Sequence, residues 1–255
     1  MPPITLITGA SSGIGQACAQ LLPVYGFKVY PASRHHPEFP LDVTNDSSVD
    51  RLVSEIIAKE GRIDVVINNA GIVVAGAVED TTPEEALHQF NTNLLGVLRV
   101  TRAVLPYMRR QGSGNIINIG SIGGLLAIPY QGLYSASKFA LEGLTESLRL
   151  EVKQFGIQAA MIEPGDHRTA LTQNRIRTAA SSYGAKADRA IAQMARDEQN
   201  GPDPIGVART VLKVLESRHP RLRYTTGPAL QRAAVLLKRI APYSLIERVM
   251  EIYYS

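Results

Sequence analysis

Cysteine is almost absent from the chain, Cys18 standing alone among 255 residues. A lone thiol excludes an intramolecular disulfide and a cysteine-only metal cluster, and it suits a reducing compartment. Long apolar runs are missing as well. No uninterrupted stretch reaches the ~18 to 20 residues of a membrane-spanning helix, because Arg232, Lys238, Arg239 and Pro242 break the C-terminal apolar segments. Neither a charged leader nor a cleavage-like site precedes the first apolar run, since Met1-Pro2-Pro3 leads straight into Ile4-Thr5-Leu6-Ile7-Thr8. These absences predict a cytoplasmic protein with no integral membrane segment. The formal charge is only +4 and no long Lys/Arg block occurs, so electrostatic capture of nucleic acid is not expected. Metal-type clusters of His, Asp and Glu are also missing. No repeat, low-complexity tract or Gly/Ser/Pro linker divides the sequence, and one domain over residues 1–255 is the expectation.

What is present is alternation. Short β-branched runs recur between longer segments of helical period, the signature of a parallel sheet flanked by helices. The strands are expected at 4–8, 27–32, a short one near Pro40, 63–68, 115–120, 157–163 and 222–226. Helices are expected at 13–25, 47–60, 83–111, 133–155 and 204–217, with Asp46, Thr82 and Asp203 as N-caps. The predicted fold is α/β: one Rossmann-type, doubly wound domain with a seven-stranded parallel sheet. A polar, alanine-rich stretch at 169–201, containing Ser181-Ser182-Tyr183-Gly184, interrupts the alternation and reads as a substrate lid.

Directly after the first strand comes Thr8-Gly9-Ala10-Ser11-Ser12-Gly13-Ile14-Gly15. In a strand-turn-helix setting, glycines let the backbone approach a pyrophosphate while the free amides and positive dipole of the next helix attract it. A purely structural strand-to-helix turn is the alternative. The second strand ends at Ala32-Ser33-Arg34. An acidic residue there would accept from a ribose 2′-hydroxyl, whereas Ser33 and Arg34 can bind a 2′-phosphate, Arg34 bidentately. This favours NADP(H) over NAD(H), unless Arg34, followed by His35 and His36, is only a solvated loop charge.

Tyr134 and Lys138 are four residues apart, one turn along one helix face. A nearby ammonium favours the phenolate, so the pair makes a tunable acid/base. Ser121 follows the strand Asn115-Ile116-Ile117-Asn118-Ile119-Gly120, at the carboxyl edge where open parallel sheets bind ligands. A dinucleotide turn with a Ser, a Tyr and a Lys on one rim points to hydride transfer with proton relay. A hydrolase is disfavoured, because Gly120-Ser121-Ile122-Gly123 is not a Gly-x-Ser-x-Gly elbow.

Taken together, these residues resemble the short-chain dehydrogenase/reductase family over roughly residues 4–170. The family's turn, its Asn-Asn-Ala-Gly segment, its Asn, its Ser and its Tyr-x-x-x-Lys appear in order. They stand here as the 8–15 turn, Asn68-Asn69-Ala70-Gly71, Asn93, Ser121, and Tyr134 with Lys138. The resemblance implies that Tyr134 is the proton donor or acceptor and that Ser121 steadies the substrate oxygen. It implies that Lys138 lowers the tyrosine pKa and holds the nicotinamide ribose, and that Asn93 anchors a relay water. It further assigns Asp42 and Val43 to the adenine end, Asn69, Ala70 and Gly71 to the adenosine ribose side, and Pro164, Gly165 and Thr169 to the carboxamide. Asn68 and Asn69 could instead brace the strand-loop junction, and Asp42 could cap a turn. His167 departs from the pattern, which usually has a small apolar residue there, and faces either substrate or solvent.

The stretch 134–151 looks most like the hydroxysteroid and retinol dehydrogenase branch, implying a hydrophobic alcohol or ketone as substrate. A 3-oxoacyl-carrier reductase and a non-catalytic nucleotide-binding redox sensor or scaffold are the alternatives. Helices 83–111 and 133–155 are those the family often pairs, which implies a homo-oligomer, dimer or tetramer. The tail at 228–255 carries no motif. From 217 to 246 the chain has six Lys/Arg and no Asp or Glu, which suits a lipid-like substrate, a membrane surface, or simple packing on the core.

Overall fold

The computed structural model describes residues 1–169, 171, 174–178, 183–238 and 240–254. In chain order the elements begin with β1 (Ile4–Thr8), α1 (Gly13–Leu21), β2 (Lys28–Ala32), α2 (Asp46–Glu60), β3 (Val65–Asn68) and β4 (Val74–Ala75). Then come α3 (Pro83–Phe90), α4 (Gly96–Gln111), β5 (Gly114–Ile119), α5 (Gly132–Val152) and β6 (Ile157–Pro164). Last are β7 (Ile176–Arg177), α6 (Gly184–Asn200), α7 (Ile205–Glu216), β8 (Arg223–Thr226), α8 (Ala229–Lys238) and α9 (Tyr243–Tyr253).

Among the described residues the main sheet has six strands, in the order β2-β1-β3-β5-β6-β8, and every pairing is parallel. The expected seventh strand near Pro40 is not one. That segment meets the sheet edge only through an isolated Ser33–Pro40 bridge, because proline has no N–H to give a ladder. A two-stranded sheet, β4 with β7, appears where the sequence carried no strand pattern.

Period-two alternation along each strand divides the core in two. Ile4, Leu6, Val66, Ile116 and Ala159 point into one cluster with residues of α2 and α4. Ile7, Val65, Ile67, Ile117 and Ala160 point into another with α1 and α7. Both faces are therefore covered, which is why these strands read as continuous apolar runs. The chain proceeds from β1 to β2 on one side, then places β3 on the other side of β1. The carboxyl ends of β1 and β3 thus flank the switch point where such sheets open a crevice.

The predicted helices are found with local corrections. The long 83–111 segment is α3 and α4 joined by a π turn, Asn91–Leu95. Thr82 caps α3 in a reciprocal capping box with Glu85. Asn45, not Asp46, caps α2, its side chain accepting from the Ser48 amide. Asp203 accepts from the Ile205 amide at 2.8 Å, although the residue preceding α7 is Pro204. Within the expected lid, α6 is a 17-residue helix and β7 a strand; residues 170, 172, 173 and 179–182, Ser181 and Ser182 among them, lie outside the described residues. So do Arg239 and Ser255 of the tail.

Candidate active site

A cavity of about 750 Å³ runs along the carboxyl edge of the sheet. Its walls include Gly9, Ser11, Ser12, Gly13, Ile14, Ser33, Arg34, Asp42, Val43, Asn69, Ala70, Gly71, Ser121, Tyr134, Lys138, Pro164, Gly165 and Thr169. Gly15, Asn68 and Asn93, also singled out from sequence, lie behind the wall.

Gly15 is needed for packing. A Cβ there would stand 2.4 Å from the Gly9 carbonyl oxygen and 2.5 Å from Asn69 Nδ2. Gly9 itself has φ +65°, and a Cβ would meet the Ala70 backbone at 2.7 Å. The turn therefore lies flat on the β3 loop. Asn69 fixes it there, donating to the Thr8 and Gly9 carbonyls at 3.1 and 2.9 Å, while the Thr8 hydroxyl accepts from the Asn69 and Ala70 amides. Asn68 donates to Asn118, which donates to Thr145 of α5, each at 2.9 Å. Both asparagines are thus braces of the junction in this structure.

The start of α1 is left free. Ser12 makes no side-chain cap, and the first turn holds no acidic residue, so the helix amides and dipole face the cavity unspent. Ser33 is buried and Arg34 exposed at the rim. Among the described residues Arg34 forms no ion pair. Asp42 accepts from the Thr44 amide and hydroxyl at 2.9 and 2.7 Å. Partial burial opposes its ionisation, but those bonds and the charges of Arg34 and Arg99 hold its carboxyl below the usual range. This architecture fits an anionic dinucleotide.

On the opposite wall, α5 starts beside the loop after β5 and presents Tyr134 and Lys138, both buried. Ser121 accepts from the Gly123 amide at 3.0 Å and hydrogen-bonds the Tyr134 side chain. Lys138 donates to the Ile119 carbonyl at 2.8 Å, its nitrogen 5.8 Å from the Tyr134 ring centre. Burial drives both groups towards neutrality. The tyrosine is pushed up to about 12, with Glu198 and Asp166 adding to the effect and the Ser121 bond and Arg175 opposing it. The lysine is brought down to about 8, with Glu142 pulling the other way. Desolvation is the largest influence on the tyrosine here. Behind Lys138, Arg223 of β8 bonds Glu142 at 2.7 Å and lies 3.3 Å from Glu163 of β6, tying α5 to the sheet.

Asn93 sits in the π turn, a local widening often found at functional sites. Its Oδ1 accepts from the Ile72 amide at 2.9 Å, and its Nδ2 donates to the Ile72 carbonyl and Ser137 at 3.0 and 3.1 Å. The side chain is thus spent on holding the β3 loop against α5.

His167 is buried, facing the cavity wall and not solvent. Its Nδ1 lies 2.9 Å from the Gly165 carbonyl, and burial lowers its pKa. Thr169 packs beside Gly13, where an added Cβ would come within 3.1 Å of the threonine Cβ. Two wall residues escaped sequence reasoning, Asp166 and Glu198. Asp166 is half-buried and accepts from Gln231 of α8. Burial pushes its carboxyl up to about 6, with the Gln231 bond opposing and the charges of Glu198 and Asp197 adding. Glu198 is paired with Arg175 at 2.5 Å. The two come from segments 32 residues apart, and only the folding of α6 over the sheet edge brings them together.

A parallel doubly wound sheet with a glycine turn at its switch point and a buried Ser/Tyr/Lys group opposite defines a dinucleotide-dependent oxidoreductase scaffold. The chain belongs to the short chain dehydrogenase family, whose sequence profile matches residues 3–180. It is 42% identical over 265 residues to a 3-ketodihydrosphingosine reductase of Bacteroides thetaiotaomicron, covering 100% of this chain and 98% of the relative. The crystal structure of a short-chain dehydrogenase from Streptomyces avermitilis aligns with a TM-score of 0.84 at 31% identity, covering 99% of this chain and 98% of that one. A short chain dehydrogenase/reductase from Burkholderia phymatum, solved in complex with NAD, aligns with a TM-score of 0.83 at 26% identity, covering 93% of each.

Proposed function

We propose that the protein reduces the ketone of a long-chain amino ketone, using NADPH. The observation that carries this is the buried Ser121–Tyr134 pair facing the glycine turn across one cavity. When bound, the nicotinamide supplies the hydride. The chain's own residues supply the rest. Ser121 donates to the carbonyl oxygen and orients it towards Tyr134. Because burial keeps Tyr134 protonated at neutral pH, it is poised as an acid, giving its proton to that oxygen as charge develops. Lys138 steadies the loop through Ile119, and its ammonium, 5.8 Å from the Tyr134 ring centre, stabilises the phenolate left behind until the tyrosine regains a proton from solvent.

NADPH is favoured by Arg34, which is exposed at the rim and forms no ion pair among the described residues, and by the neighbouring Ser33. The substrate class is supported by the reductase relative, whose named substrate carries an amine next to the ketone on an alkyl chain. It is supported also by Asp166 and Glu198, whose charges reach the Tyr134 hydroxyl. A protonated amine beside the carbonyl would meet the Asp166 carboxylate, while Ile122, Ile128 and Leu171 offer apolar wall for the chain. The domain, on this proposal, is one unit over residues 1–255, with the segment around α6 serving as the substrate wall.

The test is a fluorescence titration with NADPH and with NADH, followed by turnover of a long-chain 2-amino ketone and of its amine-free analogue. Tighter NADPH binding with preference for the amine is the expected result. Equal turnover of both ketones would remove the amine from the proposal, and tighter NADH binding would remove the role of Arg34.

A further inference from the structure

We infer that Glu142 is a positioning residue for Lys138: held behind the site by Arg223 and Glu163, its carboxylate supplies the counter-charge that keeps the buried ammonium protonated. The effect on rate rests on the proposed function, in which that ammonium stabilises the phenolate; the effect on Lys138 itself does not. Lys138 and Glu142 stand at i and i+4 on α5, one turn apart, and both are buried. The ammonium donates to the Ile119 carbonyl, a neutral acceptor. A buried ammonium tends to shed its proton unless a negative charge stands near. Tyr134, on the preceding turn, is kept protonated by burial and offers none. Glu142, on the following turn, is the carboxylate whose charge acts on Lys138. From α8, Lys238 lies 4.9 Å from the Phe139 ring centre and bonds the Leu125 carbonyl, adding a like charge and no counter-charge.

Three elements meet at Glu142. From β8, Arg223 Nε donates to Glu142 Oε2 at 2.7 Å and lies 3.3 Å from Glu163 Oε1, and its guanidinium also bonds Glu146 on the next turn of α5. From β6, the buried Glu163 accepts from the Thr225 hydroxyl at 2.9 Å and is hydrogen-bonded to Glu142. A bond between two carboxyls holds one proton, and Arg223 answers the negative charge that remains. Burial and the charge of Glu163 push the Glu142 carboxyl up, with the Arg223 bond opposing them. The pair therefore gives up its proton late as pH rises, close to the range in which the desolvated ammonium would lose its own. The full charge of Glu142 then appears where Lys138 needs it. Stitching α5 to the sheet does not by itself call for this cluster, since two carboxyls buried against each other on one guanidinium are an unfavourable way to join a helix to a strand.

A carbon-13 NMR titration of the full chain, labelled at the lysine ε-carbon, tests this without turnover. The sequence has only seven lysines, and Lys138→Met identifies the signal. In the wild type that signal should titrate at about pH 8. Glu142→Gln can keep the bonds to Arg223 and Glu163 and removes only charge, and the midpoint should fall by about one unit. Glu163→Gln alters the same cluster but leaves Glu142 ionised, so the midpoint should hold or rise. Glu146→Gln, exposed and bonded to the same Arg223, should leave it in place. A midpoint unmoved in Glu142→Gln, or one that falls equally in Glu142→Gln and Glu163→Gln, would overturn the proposal. If Glu142→Gln does not fold, Glu163→Gln carries the test: a midpoint held or raised supports the inference, and a fall overturns it. The alkaline limb of kcat for ketone reduction should move with the midpoint. A limb that stays while the midpoint moves would keep Glu142 as the holder of the Lys138 proton and remove the ammonium from the proposed mechanism.

Discussion

The two walls of the cavity are built on different principles. The wall from β1 to the β3 loop is backbone against backbone: Gly9 on Ala70, Gly15 on Gly9, and Asn69 and Thr8 stitching the two turns together. The wall from β6 to α8 is side chain against side chain, with Asp166 on Gln231, Arg175 on Glu198, and His167 on the Gly165 carbonyl. A backbone wall tolerates no added atom and presents amides that any pyrophosphate can use. A side-chain wall changes its chemistry with each substitution while its fold stays put. On the proposed function, cofactor and substrate meet separate surfaces of one cavity, with Tyr134 between them.

Breaking the element that both walls share should cost the most. Tyr134→Phe removes the proton donor, and kcat should fall by roughly 10²–10⁴-fold with NADPH affinity retained. Survival of more than a few per cent of the rate would mean that the proton comes from elsewhere. On the backbone wall, Gly15→Ala must displace the Gly9 carbonyl; overpacking of this kind costs about 1–3 kcal/mol, and both melting temperature and NADPH affinity should drop together. On the side-chain wall, Asp166→Asn should leave the melting temperature almost unchanged. It should lower kcat/KM for the amino ketone by about tenfold or more, as expected for a lost charged contact, and spare the amine-free analogue.

The same contrast has a pH form. The Asp166 carboxyl is pushed up to about 6, so it is ionised above that pH and takes up a proton as pH falls through it. In the wild type, kcat/KM for the amino ketone should therefore decline below about pH 6, and Asp166→Asn should flatten that limb of the profile. Arg34→Ala sharpens the comparison at its least demanding point. A rim cation contributes about 1.5–3 kcal/mol through charge-assisted bonds, so NADPH affinity should weaken by roughly ten- to a hundredfold while NADH affinity stays level in parallel titrations.

Much of the backbone wall was legible beforehand because its requirements are local. A turn that needs φ +65° at Gly9 and a close approach at Gly15 can be met only by glycine, so the residue type records the geometry. The Tyr134 and Lys138 spacing is likewise a property of one helix. One reading failed, and others stayed incomplete, where the deciding partner was distant. The segment near Pro40 has strand-like neighbours, yet proline's missing N–H leaves it one bridge. Lys138 lies close to the tyrosine as expected, and its bond to the Ile119 carbonyl is a contact that helix spacing does not record. The side-chain partners of Asn93, Ile72 and Ser137, are also distant in sequence and left no local signal.

By itself the sequence determined the alternating α/β order, the glycine turn, the basic end of β2 and the Tyr134–Lys138 spacing on α5, because each depends on neighbours within a few residues. The tertiary structure alone decided the six-strand count, the β4–β7 pair, the acidic wall of Asp166 and Glu198, and the gathering of Glu142, Glu163 and Arg223 behind Lys138. Those depend on which segments meet in space, and residues on separate helices and strands do not record that in their local spacing.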